Sequence, residues 1–95
     1  MLHMIASSPF QCDYRAILRL ISAGDVVLLL GDGVIIGIES GAMFSVFFDS
    51  IIQLYVLKAD LIARGLLMYI SPHVQVITYN ELINLMVQNP QQISW

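Results

Sequence analysis

Five consecutive apolar residues, Val26 to Leu30, lie between Gly24-Asp25 and Gly31-Asp32-Gly33. No feature of the chain limits its fold more. A short unbroken apolar run closed by turn residues predicts a strand buried on both faces, because an alternating pattern would leave one face to water. Strands covered on both faces belong mostly to parallel sheets flanked by helices. The run also ends in a glycine-rich turn, where open α/β folds usually keep their chemistry.

The rest of the chain fits that frame. Leu2 to Ile5 is short and apolar, with Ser7-Ser8-Pro9 after it, and predicts a first strand. A helix is expected from Asp13, whose carboxylate suits an N-cap, with Gly24 as its C-cap. Tyr14, Ile17, Leu18 and Ile21 make its apolar stripe, and Arg15 and Arg19 lie off it. Val34 to Glu39 is expected to be a short helix started by Asp32, against its β-branched composition. Ala42 to Phe48 stays open between helix and strand. Ile51 to Leu57 predicts a third strand, Asp60 to Arg64 a short helix, and Val74 to Ile77 a fourth strand. Thr78-x-x-Glu81 reads as a capping box opening a last helix with a Leu82, Leu85, Met86 stripe, stopped by Pro90. Gln91 to Trp95 has too little apolar content to predict an element. Alternating strands and helices on short connections imply right-handed βαβ crossovers. The expectation is an α/β three-layer sandwich with a small, mainly parallel sheet of about four strands, residues 1–95 forming one domain.

Composition adds a second constraint. Hydrophobic residues make up 58% of the 95 positions and charged residues only 12%, where about 25% charged is usual. So small a domain cannot bury all of that surface, so an exposed apolar patch for a partner is expected. An unusually apolar core is the plain alternative. A membrane span is not: the longest charge-free stretch, Gly65 to Asn80, is interrupted by Pro72 and His73 and falls short of the roughly 20 residues a spanning helix needs. His3, Pro9, Gln11 and Asp13 break any signal-peptide core. One cysteine excludes an internal disulfide and fits a reducing cytoplasm. A net charge of −3 with four basic residues gives no footprint for nucleic acid.

Candidate chemistry is thin. Gly31 and Gly33 match the first two glycines of a dinucleotide fingerprint, but Ile36 occupies the third, and no Lys or Ser/Thr follows to make a phosphate loop. The plainer reading is a tight turn with Asp32 capping the next helix. Cys12 stands where a helix N-terminus and Arg15 would favour a thiolate, yet Asp13 beside it opposes one; it is either a reactive thiol or a small apolar filler. His3 is expected at a strand edge and His73 in a solvated turn. They share no ligand spacing with each other or with Cys12, so neither a metal nor a cofactor is expected. Ser7, Ser8 and Ser40 lack a nucleophile-elbow setting. Phe44, Phe47 and Phe48 are a core cluster or an interface. Trp95 either docks back onto the domain or anchors a neighbour.

Met1-Leu2-His3, Ser8-Pro9-Phe10, Asp32-Gly33-Val34, the segment Asp60 to Leu66 and Trp95, in that order and spacing, resemble the TusB/DsrH family of the DsrE/F/H-like superfamily. The resemblance covers essentially the whole chain. It implies a non-catalytic subunit of a cytoplasmic sulfurtransferase complex, a heterohexamer built from two heterotrimers with TusC-like and TusD-like partners. Such a complex takes persulfide sulfur from TusA and passes it to TusE, toward 2-thiolation of the tRNA wobble uridine. It also implies that the relay cysteine sits on the TusD-type subunit, so no catalytic role passes to Cys12. The DsrH branch, serving sulfur oxidation, and a Cys12-persulfide carrier are the alternatives.

Overall fold

The computed structural model describes residues 1–8, 10–11, 13–22, 24–38 and 53–95. Its centre is a five-stranded sheet: β1 (Leu2–Ile5), β2 (Val26–Leu29), β3 (Gln53–Leu57), β4 (Gln75–Ile77) and β5 (Gln92–Ser94). The spatial order is β4-β3-β2-β1-β5, and every strand pair is parallel. Among the described residues three α-helices accompany the strands: α1 (Tyr14–Leu20), α2 (Lys58–Ala63) and α3 (Tyr79–Gln88). A 3-10 helix runs over Gly31–Gly37 and a shorter one over Leu67–Tyr69.

Chain direction decides which helix covers which face. From β1 to β4 the strands step one way across the sheet, so right-handed crossovers put their helices on one side. There Ile17 of α1, Val34 and Ile36 of the 3-10 helix and Leu61 of α2 pack on Ile5, Val27, Leu29, Leu54 and Val56. The step from β4 to β5 reverses direction, and α3 falls on the opposite side. Leu85 packs there on Leu2, Val26, Leu28 and Ile77, with Met4, Tyr55, Leu82 and Met86 partly buried around it. The four residues of β2 are all buried, two against each layer. The apolar run is the middle of the sheet, as its pattern requires.

Most boundaries follow local chemistry. Asp13 caps α1, accepting the Ala16 N–H at 3.1 Å. Both halves of the Thr78–Glu81 capping box are formed, and α3 ends at Gln88 before Pro90. The end of α2 is a Schellman motif: Leu66 N–H donates to Leu61 O at 2.9 Å and Gly65 N–H to Ile62 O at 3.1 Å, with Gly65 at φ +65°.

Four expectations need correction. Residues 92–94 are a strand, so the sheet has five strands and not about four. β5 pairs with β1 through backbone bonds, with Leu2 N–H on Gln91 O at 2.9 Å, Trp95 N–H on Met4 O at 2.8 Å and Ala6 N–H on Trp95 O at 3.2 Å. α1 ends at Leu20 with Ile21 as its C-cap, and Gly24, at φ +88°, belongs to the turn before β2. The helix after β2 is 3-10 and already starts at Gly31; Asp32 lies inside it and does not cap it. His3 is not at a sheet edge, because β5 makes β1 an interior strand, and the residue is 1% exposed. Residues 39–52, with the ambiguous Ala42–Phe48 stretch, lie outside the described residues.

Candidate functional site

The place to look for chemistry in an open parallel sheet is the carboxyl end of its strands. At the end of β2 the chain bonds to itself. Gly31, at φ +54°, turns out of β2, and its N–H donates to Asp60 Oδ2 at 2.7 Å. Asp60 is in the first turn of α2 and is brought there by the β2–β3 pairing. Arg64, one turn on, donates from Nη2 and Nε to Asp32 Oδ1 at 2.9 and 3.2 Å and from Nη1 to the Asp60 carbonyl at 3.3 Å. Gly33 N–H bonds to Leu30 O, and its Cα lies so close to β1 that a Cβ would overlap Ile5 O.

This arrangement opposes anion binding for two reasons. The donors a phosphate would need, Gly31 N–H and Gly33 N–H, are already bonded inside the chain. The nearest charges are two carboxylates, with a single Arg64 spanning them. The failed glycine spacing and the geometry therefore agree. The cap of the 3-10 helix comes from Asp60, not from Asp32. Sequence reading missed it because the two residues are 29 positions apart.

A second polar cluster links β1, the turn before β2 and Trp95. His3 Nε2 lies 2.8 Å from Asp25 Oδ2, and Trp95 Nε1 donates to His3 Nδ1 at 3.3 Å. Asp25 also accepts the Ser22 N–H at 3.0 Å and lies 3.2 Å from the Met1 amino group. These contacts lower its carboxyl from 3.8 to about 2; the Ser22 bond acts most, then His3, against a smaller opposing effect of burial, with the Met1 amino group adding the rest. Trp95 is half-buried against the α1 side of the core. It docks on its own sheet, a position the polar tail did not advertise.

The remaining candidates stay apart. His73 is exposed in the turn before β4, with its N–H on Ser71 Oγ. Ser8 is buried at the end of the β1 turn, its carbonyl accepting the Gln11 N–H. Cys12, Phe47 and Phe48 lie outside the described residues. Among the described residues no three of His, Cys, Asp and Glu converge as metal ligands, and no helix is long and apolar enough to cross a membrane. A groove of about 210 Å³ between α3 and the β3–β4 edge is lined by amides and by Glu81, which the capping box already engages.

What the described surface does carry is apolar. Ile62 and Met68 are 56% and 80% exposed and line one hollow of about 390 Å³ with Leu67. On α3, Tyr79, Ile83 and Val87 recur every four residues on the side turned from the sheet, all exposed. That spacing makes a second stripe on a helix whose first stripe is already buried.

The described residues define a small parallel α/β domain whose turn after β2 is bonded within the chain and whose surface carries exposed apolar residues on α3 and around Met68. Residues 7–92 match the family described as DsrH like protein. Over all 95 residues, and over the full length of each relative, the chain is 54% identical to Protein TusB of Erwinia tasmaniensis, 43% to Protein TusB of Serratia proteamaculans and 42% to Protein TusB of Photorhabdus laumondii. The chain belongs to the TusB/DsrH family. Its fold is that of the ychN protein from E. coli, with a TM-score of 0.76 at 14% identity over 99% of this chain and 97% of that one. Protein Tm0979 from Thermotoga maritima gives 0.66 at 24% identity over 96% and 97%.

Proposed function

We infer that the chain is a non-catalytic subunit of a cytoplasmic sulfur-relay complex. Its partners are TusC-like and TusD-like chains in a heterohexamer, and the complex carries persulfide sulfur toward the 2-thiolation of tRNA wobble uridine. The observation that carries this reading is the full-length match to proteins named TusB, at up to 54% identity. Two features of the surface support it. The turn after β2, where a small α/β domain would bind a ligand, is engaged by Asp60, Asp32 and Arg64. The exposed apolar residues on α3 and around Met68 suit a chain that meets others.

Co-expression with the candidate partner chains tests the assembly. The expected result is one co-eluting species containing all three chains, with the chain alone self-associating. A monomer that stays apart from those partners overturns the reading. Deletion of the encoding gene should abolish 2-thiouridine in tRNA, and Cys12→Ser should restore it as fully as the native sequence. Loss of thiolation in Cys12→Ser would instead make this chain a sulfur carrier. The family description DsrH like protein favours one second reading, a subunit that traffics sulfur in sulfur oxidation. Intact 2-thiouridine in the deletion strain, with sulfur oxidation lost, is the result that selects it.

A further inference from the structure

The His3–Trp95 contact has a polarity that the fold does not require. An indole N–H can only donate, so His3 Nδ1 must be its acceptor at 3.3 Å. The ring proton then sits on Nε2, which donates to Asp25 Oδ2 at 2.8 Å. His3 is thus held as the neutral Nε2–H tautomer. A second proton would have to go on Nδ1, facing the indole N–H, and two donors cannot share a hydrogen bond. The rings are parallel within 9° with centroids 6.4 Å apart, and the hydrogen bond joins them edge to edge. A charged imidazole would therefore meet the electropositive rim of the indole, not its face.

We propose that His3 and Trp95 form a proton-released latch on β5: the indole is docked while His3 is neutral, and uptake of one proton at Nδ1 sets it free. β5 makes the consequence local. Among the described strands it lies at the edge, all three of its residues are exposed, and its one neighbour there is β1. Gln92 ties the near end of the strand to the last turn of α3, through Met86 O and Asn89 O at 3.1 Å each. Trp95 ties the far end. Opening the latch loosens the far end and exposes the indole at an edge of the sheet.

Among the described residues, the charged groups that reach the ring come from the turn before β2 and the start of the chain. Asp25 faces Nε2 from the turn before β2, and the Met1 amino group reaches the same carboxylate. α1, packed over this face, turns Ile17, Leu18 and Ile21 toward the core, while its Arg15 and Arg19 are exposed. β5 itself carries no charge. Between about pH 8 and 5, the span in which histidines exchange their proton, Asp25 stays ionised because its carboxyl is held at about 2. Asp25 therefore does not account for a change in that span.

Trp95 is the only tryptophan, so its fluorescence reads the latch directly in the full chain. Between pH 8 and 5 the emission should move to longer wavelength and acrylamide quenching should rise, with far-ultraviolet circular dichroism and light scattering unchanged. His3→Gln should remove the pH dependence, and His73→Gln, at an exposed turn near the opposite edge of the sheet, should keep it. Because His3→Gln alters a buried site, a measurement on the wild-type chain stands beside it. The ¹⁵N shifts of the His3 ring should show the Nε2–H tautomer at pH 8, and its titration should share a midpoint with the fluorescence change. A flat emission profile in the wild type, a shift that survives His3→Gln, or the Nδ1–H tautomer at pH 8 would each overturn the latch.

Discussion

Asp25 gathers bonds from Ser22, His3 and the Met1 amino group on one carboxylate, and these hold its carboxyl at about 2 against an ordinary 3.8. A carboxyl depressed by folding stabilises the folded chain wherever it is ionised in both states. Its contribution is therefore complete above about pH 4 and is lost as pH falls toward 2. Denaturant midpoints of the wild type should accordingly decline between about pH 4 and 2. Asp25→Asn should be less stable at pH 7 and should decline less over the acid range. Equal declines in the two proteins would remove Asp25 from this account. Gly33 makes a different demand, on space. A methyl group there would overlap Ile5 O, and both backbones belong to the centre of the fold. Gly33→Ala should cost about 1–3 kcal/mol or more, the range for forcing atoms into a packed site. Gly24→Ala meets no neighbour within 4 Å and carries only the strain of its φ of +88°, so chemical denaturation should rank Gly33 as the more sensitive position.

Among the elements, the legible ones were those whose cause is local. β1, β2, α1 and α3 follow from apolar runs, from Asp13 and from Thr78-x-x-Glu81, all within a few residues of the structure they fix. The two that escaped have remote causes. β5 has three exposed side chains, so no apolar pattern could announce it. Its stability comes from backbone bonds to β1 and from Trp95 on His3, 92 positions away. The 3-10 helix is rich in β-branched residues and is set by Asp60 at Gly31 and Arg64 at Asp32. The candidate site divides the same way: the glycine spacing argued against nucleotide binding, but the carboxylates that close the turn come from another element. Asp60→Ala should cost about 1–2 kcal/mol, as loss of a side-chain cap usually does. Arg64→Ala should cost less than about 1 kcal/mol, because its pair with Asp32 is largely in water. The reverse order would mean that the ion pair, not the cap, holds the turn.

For the whole molecule, the unequal covering of the sheet matters most. Among the described residues, one face carries α1, α2 and the 3-10 helix, and the other carries α3. The apolar surplus foreseen from composition surfaces at both layers, as Tyr79, Ile83 and Val87 on α3 and as Ile62, Leu67 and Met68 beside α2. In the proposed assembly these are the positions where a charge should weaken association without disturbing the fold. Ile83→Glu and Met68→Glu replace exposed side chains, and such changes usually stay within about 0.5 kcal/mol of wild-type stability. At Ile83 the new residue is also the better helix former. A buried, unpaired carboxylate at an interface costs far more than that. At least one of the two variants should bind the partner chains tenfold more weakly or worse, a loss of about 1.4 kcal/mol, with its thermal midpoint unchanged. If both variants co-elute with the partners at wild-type affinity, the exposed apolar residues of α3 and of the Met68 hollow are not what holds the complex together. The contacts must then lie elsewhere on the chain.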